Sequence, residues 1–282
     1  MENPLSKPDQ HVIGPFPAIM GVLNVTPDSF SDGGRFLARD RALAHAKRMV
    51  ASGATIIDVG GESTRPGAAE VALNEELNRV IPVVEALVGE VDAVVSVDTS
   101  KPEVMAAAIG AGAGMINDVR ALAAEGAIEA VRDSSASICL MHMQGQPRTM
   151  QANPTYDDIC SDILAFLRAR MQDCEDAGIE RDRLIVDPGF GFGKSLQHNL
   201  QLLAGLDSFR ALGAPLLVGL SRKSMFGQIL GGANEQQRLH ASVTAAVLAV
   251  QRGADIVRVH DVAETRDALR VLCAVEQHEK TH

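Results

Sequence analysis

Tryptophan is absent from this 282-residue chain, tyrosine occurs once, and aromatic residues reach only 3%. A surface that stacks bases on aromatic side chains is therefore not expected. Positive charge is short as well: 26 Lys and Arg face 36 Asp and Glu, for a formal net charge of −10. That balance opposes binding along a phosphate backbone. An anionic substrate would have to be held by a local cluster of cations or by a metal ion. The four cysteines (Cys139, Cys160, Cys174 and Cys273) have no CxxC spacing. Reduced thiols are expected, and a zinc site is not, because no His/Cys cluster has ligand spacing. No apolar run approaches the roughly 18–20 residues that span a bilayer. Residues 1–17 contain four prolines and no apolar signal core. A soluble, cytoplasmic protein is expected. No Ser/Gly linker divides the chain, and no GxGxxG follows the first apolar run, which removes the usual dinucleotide motif.

What is present is a repeat of short apolar runs, eight in all, most ending in polar groups. Residues 18–25 end near Asn24, 54–61 carry Asp58, and 93–99 carry Asp98. Residues 115–119 hold Asn117 and Asp118, 137–143 hold His142, and 184–190 hold Asp187. Residues 215–221 lead to Arg222 and Lys223, and 256–261 carry Arg258 and His260. The runs are nearly continuous Val, Ile and Leu, as parallel strands covered on both faces require. Between them lie segments of helical period. Leu77, Val80, Ile81, Val84, Leu87 and Val88 follow it, with Pro82 kinking that helix or sitting near its start. Ile159, Ile163, Phe166, Leu167, Met171 and Cys174 follow it in a helix ending near Gly178. A short helix fits over 103–111, and an Ala/Val-rich one over 241–254. Alternating strands and helices imply a parallel sheet. Eight repeats favour one closed (β/α)8 TIM barrel over an open doubly wound sheet. The barrel should span 18–275, with a Pro-rich extension over 1–17 and a polar tail over 276–282. Such a barrel gathers its strand ends at one rim, and with them the polar groups.

Two loops stand out chemically. The first, from Asn24 to Gly34, is built of small polar residues, one Pro and a terminal Gly pair. It reads as a mobile loop over a site or as an ordinary connection with Asp28 capping a turn. The second runs Asp58-Val59-Gly60-Gly61-Glu62-Ser63-Thr64-Arg65-Pro66-Gly67. Its glycines admit close backbone approach, and Thr64 with Arg65 suits anionic oxygen. A Gly-rich turn with a solvated Arg is the alternative.

These two loops resemble the signature loops of the dihydropteroate synthase family. So, in order, do Ser96-Val97-Asp98-Thr99, Ile116-Asn117-Asp118, Leu140-Met141-His142-Met143-Gln144-Gly145 and Asp187-Pro188-Gly189-Phe190-Gly191-Phe192-Gly193-Lys194. Gly219-Leu220-Ser221-Arg222-Lys223-Ser224 and Arg258-Val259-His260-Asp261 complete the set. The likeness covers about residues 19–272.

The resemblance implies a folate-pathway transferase that joins a dihydropterin methyl diphosphate to p-aminobenzoate and releases diphosphate. It implies Asp187 as acceptor for the pterin's 2-amino and N3 edge, with Asn117, Asp98 and Met141 around the ring. Lys223 would donate to the C4 carbonyl or N5, and Arg258 would stack on the ring while facing phosphate. Asn24, Thr64, Arg65, Arg258 and His260 would form the diphosphate end. Asn24 would be the single side-chain ligand of Mg2+, which keeps waters and substrate phosphates. Phe30, Thr64, Arg65, Pro66, Phe190, Lys223 and Ser224 would form the p-aminobenzoate pocket, where sulfonamides compete. Lys223, Asp98, Asp32 and Arg258 would serve the chemistry, and the protein would be a homodimer. Taken singly, each residue also fits a cap, a turn or a solvated rim charge; their joint placement at strand ends favours a site. Two other readings are a methyltetrahydrofolate-dependent corrinoid methyltransferase, which needs no diphosphate end, and a catalytically silent barrel acting as a scaffold.

Overall fold

A computed structural model describes residues 16–26, 35–63, 68–146 and 149–279. Among the described residues, eight strands form one parallel sheet in the order β6-β5-β4-β3-β2-β1-β8-β7. They are β1 (Ala18–Asn24), β2 (Ile56–Gly60), β3 (Val94–Asp98), β4 (Met115–Asp118), β5 (Ser137–Met141), β6 (Leu184–Asp187), β7 (Leu217–Val218) and β8 (Ile256–Val259). Each lies within one of the eight apolar runs. The ring closes between β6 and β7 through a parallel bridge from Val186 to Leu216 and a Val186 N–H bond to the Pro215 carbonyl (2.9 Å). β7 has two residues, and the chain leaves the sheet at Gly219.

Helices alternate with the strands and cover the outside. They are α1 (Arg35–Ala51), α2 (Leu73–Leu87), α3 (Pro102–Gly110), α4 (Ala127–Arg132), α5 (Ile159–Asp176), α6 (Leu196–Ala204), α7 (Ser224–Ile229), α8 (Leu239–Gln251) and α9 (Val262–Glu279). Pro82 lies within α2, whose Val80, Val83, Val84 and Leu87 are buried. The tertiary contacts of that face outweigh the lost backbone bond. α5 is capped by Asp158, which accepts from Ser161 N (2.8 Å), and it stops where Gly178 turns left-handed (φ 92°). α9 continues to Glu279 and so takes in residues 276–279 of the segment expected to be a polar tail. Glu and Gln are good helix formers, and they extend the last turn without needing a core.

Side-chain parity divides the barrel into two cores. Odd-numbered positions of β1 face the helices, where Ile19 and Leu23 join an outer core with Val80, Leu87, Met105, Leu167 and Phe209. The inward positions pack a separate cluster of Met20, Ile56, Met115, Cys139, Ile185, Leu217 and Ile256 inside the lower barrel. Burying a side chain of this size stabilises by roughly 1.5–3 kcal/mol. Above this apolar plug the inward positions turn polar. Asp58 pairs in register with Ser96, Asp98 with Asn117, and Met141 with Asp187. The change from apolar to polar along the inside of the strands puts the site at their carboxyl ends.

Candidate active site

Asp58 is at the centre of the polar layer and is completely buried. It accepts from Ser96 Oγ (2.7 Å), Asn117 Nδ2 (3.2 Å) and Arg258 Nε (2.6 Å). Arg258 also donates from Nη2 to Asp98 Oδ2 (2.9 Å). Burial alone would lower the Arg258 pKa, but the two carboxylates hold it above its ordinary value. Burial pushes the Asp98 carboxyl up to about 7 against the pull of Arg258, and Asp58 and Asp118 act in the same upward direction. One guanidinium thus serves β2, β3 and β8 and sets their ends relative to one another.

Asp187 closes the other side. It is 5% exposed, and its Oδ1 accepts from the Gly189 N–H (2.7 Å). Burial raises it to about 6, while the Gly189 bond, Lys223, Lys194 and Arg258 pull downward. Gly189 adopts φ 71°, and any Cβ there would collide with the His142 carbonyl. Lys223 caps α7 and places Nζ 4.2 Å from the centre of the Phe192 ring. Its neighbour Arg222 adopts φ 57°, a left-handed conformation unusual for a side chain. That turn is held by a two-pronged ion pair to Asp261 (3.0 and 2.6 Å) and by Arg222 N donating to Ser242 Oγ (2.8 Å).

At the β1 edge, a Cβ on Gly60 would lie 3.5 Å from Asn24 Oδ1 and 3.8 Å from Asp98 Cβ, so the missing side chain keeps this space open. His260 is hydrogen-bonded to Ser221 (3.0 Å). Burial, Arg258 and Arg222 lower its pKa to about 4, so it is neutral at physiological pH. Beside Asn24 and His260 lies a cavity of about 460 Å3, bounded on the helix side by Arg41, His45 and Arg48 of α1. The second loop leaves β2 through a braced base. Lys101 bridges Glu62 and the buried Glu76 (2.6 Å to the latter), and Thr99 Oγ1 donates to Glu76 (2.6 Å).

Asp98, Asn117, Met141, Asp187, Lys223 and Arg258 therefore gather at one rim, with Asn24 and His260 at its β1–β8 side. Ser224 begins α7 beside Lys223 and is exposed. Phe30, Asp32, Thr64, Arg65 and Pro66 lie outside the described residues. Phe190 does not fit the wall position expected for it. It is fully buried in the outer core, and the half-buried Phe192 faces Lys223 instead. Gly189, Gly191 and Gly193 all have positive φ, and this winding sends the two rings in opposite directions. Asp58 is the main residue to which the sequence assigns no role. Its signal is a lone carboxylate inside a run otherwise apolar on both faces. Among the described residues no group of three His, Cys, Asp or Glu could hold a metal ion, and no helix is long and apolar enough to cross a membrane.

A family model described as pterin binding enzyme matches residues 20–260. The dihydropteroate synthase of Escherichia coli K12 is 54% identical over 256 residues, which span 91% of this chain and 90% of that protein. A crystal structure of Yersinia pestis dihydropteroate synthase with a sulfonamide drug complex superposes with a TM-score of 0.88 at 54% identity, covering 93% of this chain and 95% of that one. The Burkholderia cenocepacia dihydropteroate synthase complexed with 7,8-dihydropteroate gives 0.87 at 50% identity, covering 94% of each chain. The chain is an enzyme with a (β/α)8 barrel and belongs to the pterin binding enzymes. Within that family it groups with the dihydropteroate synthases.

Proposed function

We propose that this enzyme condenses 6-hydroxymethyl-7,8-dihydropterin diphosphate with p-aminobenzoate, forming 7,8-dihydropteroate and diphosphate. The observation that carries this reading is the inward ring of Asp98, Asn117 and Asp187 facing Lys223 and Arg258 across one barrel mouth. A pterin presents donors along its 2-amino and N3 edge and acceptors at C4 and N5. Asp187 suits the donor edge, Asn117 the neighbouring ring nitrogens, and Lys223 the acceptor edge. A site with buried polar groups of this kind rejects rings lacking the matching edge, by about 10⁴–10⁵-fold.

The diphosphate belongs at the β1–β8 side, with Asn24, His260 and Arg258, and with Thr64 and Arg65 from the second loop. The neighbouring cavity edged by Arg41 and Arg48 supports that placement. His260, neutral before the anion binds, offers a directed hydrogen bond, and arginine carries the charge. Asn24 provides one neutral oxygen, which fits an Mg2+ ion otherwise bound by waters and phosphate oxygens. When bound, that ion supplies charge compensation for the diphosphate. The bond to diphosphate breaks ahead of attack, and the electron-rich dihydropterin shares the positive charge at its exocyclic methylene. Asp98, with Asp32 of the first loop, stabilises that cation. The arylamine is nucleophilic at neutral pH and attacks without a strong base. Phe192, Lys223, Ser224 and the two loops exclude water that would trap the cation. The family resemblance also implies a homodimer, which sedimentation would check.

The direct test supplies purified protein with the dihydropterin diphosphate and Mg2+, with and without p-aminobenzoate. Diphosphate release coupled to dihydropteroate formation and blocked by a sulfonamide is expected. Pterin binding with no release would overturn the diphosphate assignment. Lys223→Ala should lower turnover about 10²–10³-fold, by analogy with removing one preorganised donor; near-normal turnover would remove Lys223 from its role.

A further inference from the structure

Lys194 is 3% exposed, yet it touches no substrate group named above. Its Nζ sits within reach of the Gly189 carbonyl (2.8 Å), the Phe192 carbonyl (3.0 Å) and His142 Nδ1 (3.1 Å). The His142 carbonyl lies farther off at 3.4 Å, and the three nearer acceptors match the three N–H groups of an ammonium. The match requires His142 Nδ1 to be unprotonated. Burial and Lys194 lower His142 to about 3, so its ring is neutral, and the tautomer that accepts from Lys194 carries its proton on Nε2. Nothing in this arrangement resembles a solvated rim lysine.

The residues tied by this ammonium are those that set the pterin edge. Gly189 donates its N–H to Asp187 (2.7 Å), and His142 N–H bonds the Asp187 carbonyl (2.9 Å). Phe192 supplies the ring beneath Lys223. We infer that Lys194 is a positioning residue for pterin binding: it locks the 189–193 turn that aims Asp187 and Phe192, and it supplies a buried positive charge behind Asp187. The inference rests on the pterin reading of the site. The other groups facing Asp187 are Lys223 from the β7 loop, Arg258 on β8 and the Cys139 thiol on β5; those facing Lys194 are His142, Lys223 and Asp187. Lys194 is the cation of this set with no direct part in the ring's recognition. Removing its charge should raise the pH at which Asp187 takes a proton, and pterin affinity should fall earlier as pH drops.

The test is a fluorescence titration with the unreactive 6-hydroxymethylpterin between pH 5.5 and 8.5, on wild type, Lys194→Gln, Lys194→Met and Asp187→Asn, each checked by thermal melting. Gln keeps neutral donors for the turn. Its affinity should match wild type within about threefold at pH 8.5 and fall about fivefold below wild type at pH 6, because the acid limb begins at a pH higher by about one. Met should weaken binding at every pH. A Lys194→Gln profile that overlays wild type overturns the role. Wild-type-like binding by Asp187→Asn would instead overturn the pterin reading beneath it. In wild type, 13Cε-lysine NMR tests the same link without a substitution. Burial lowers Lys194 to about 7. Its ammonium should gain basicity when bound pterin holds Asp187 ionised, whereas a lysine titration unmoved by pterin overturns the proposal.

Discussion

A carboxylate inside a strand covered on both faces is costly unless both of its oxygens find donors, and Asp58 meets that condition with Ser96, Asn117 and Arg258. The arrangement makes Asp58 structural for Arg258 as much as for the strand. Asp58→Asn should lower unfolding free energy by about 3 kcal/mol, because it leaves the guanidinium with one carboxylate in a buried setting. Urea denaturation reads this directly, and an unchanged midpoint would mean that Asp98 alone balances Arg258. The titrations of Asp98 near 7 and Asp187 near 6 set the acid behaviour. Each accepts at both oxygens only when ionised, so protonation on acidification turns an acceptor facing the pterin's donor edge into a donor. Pterin affinity should be steady above about pH 8 and fall through the range 7 to 6, by about tenfold per pH unit for each group lost. Arg258 stays charged throughout, so no matching alkaline loss arises from it.

At the scale of elements, the connections after the strands carry the site, and those after β4 and β6 are held by buried polar clasps. Asp118 accepts from Ser100 and from the N–H groups of Arg120 and Leu122 (2.8 Å each), while Arg170 holds the Ala121 and Leu122 carbonyls (2.8 and 3.0 Å). Those clasps sustain Ala121 and Leu122 at φ 52° and 56°, which neither would adopt alone. In the β6 connection the clasp is Lys194, and the backbone requirement falls on Gly189. Gly189→Ala should cost about 2–4 kcal/mol through the left-handed φ and the clash with the His142 carbonyl. It should also weaken pterin binding, since the N–H aimed at Asp187 must move. Calorimetry together with a binding titration would check both, and a stable variant that binds normally would show that this turn is not set by its glycine.

At the scale of the whole molecule, the two ends of the barrel have separate tasks. The amino-terminal ends of β5 and β6 are tied by Arg183, which donates to the carbonyls of Ala136 (3.0 Å), Arg132 (2.8 Å) and Val131 (2.8 Å) and to Ser134 Oγ (3.1 Å). These bonds lie at the opposite end from Asp187. Arg183→Met should therefore reduce stability by about 2 kcal/mol while leaving kcat and KM near wild type. A large loss of activity in a folded variant would mean that the ends are coupled. The apolar plug of Met20, Ile56, Met115, Cys139 and Ile185 between the two ends is the physical basis of that independence.

The sequence by itself determined the repeat of strands, their burial on both faces and the order in which Asn24, Asp98, Asn117, Asp187, Lys223 and Arg258 reach the rim. Those properties follow from local hydrophobic pattern and from polar groups at run ends, which a linear reading captures. Only the tertiary structure decided which side chains share a charge. Asp58 and Arg258 are 200 positions apart, and their pairing depends on β8 closing against β1 beside β2. It also decided that Phe192, and not Phe190, meets Lys223, because three left-handed glycines wind the β6 connection. The role of Lys194 was equally out of reach of the sequence. A lysine's charge is read from its letter, but its acceptors are carbonyls and a ring nitrogen that only folding brings together.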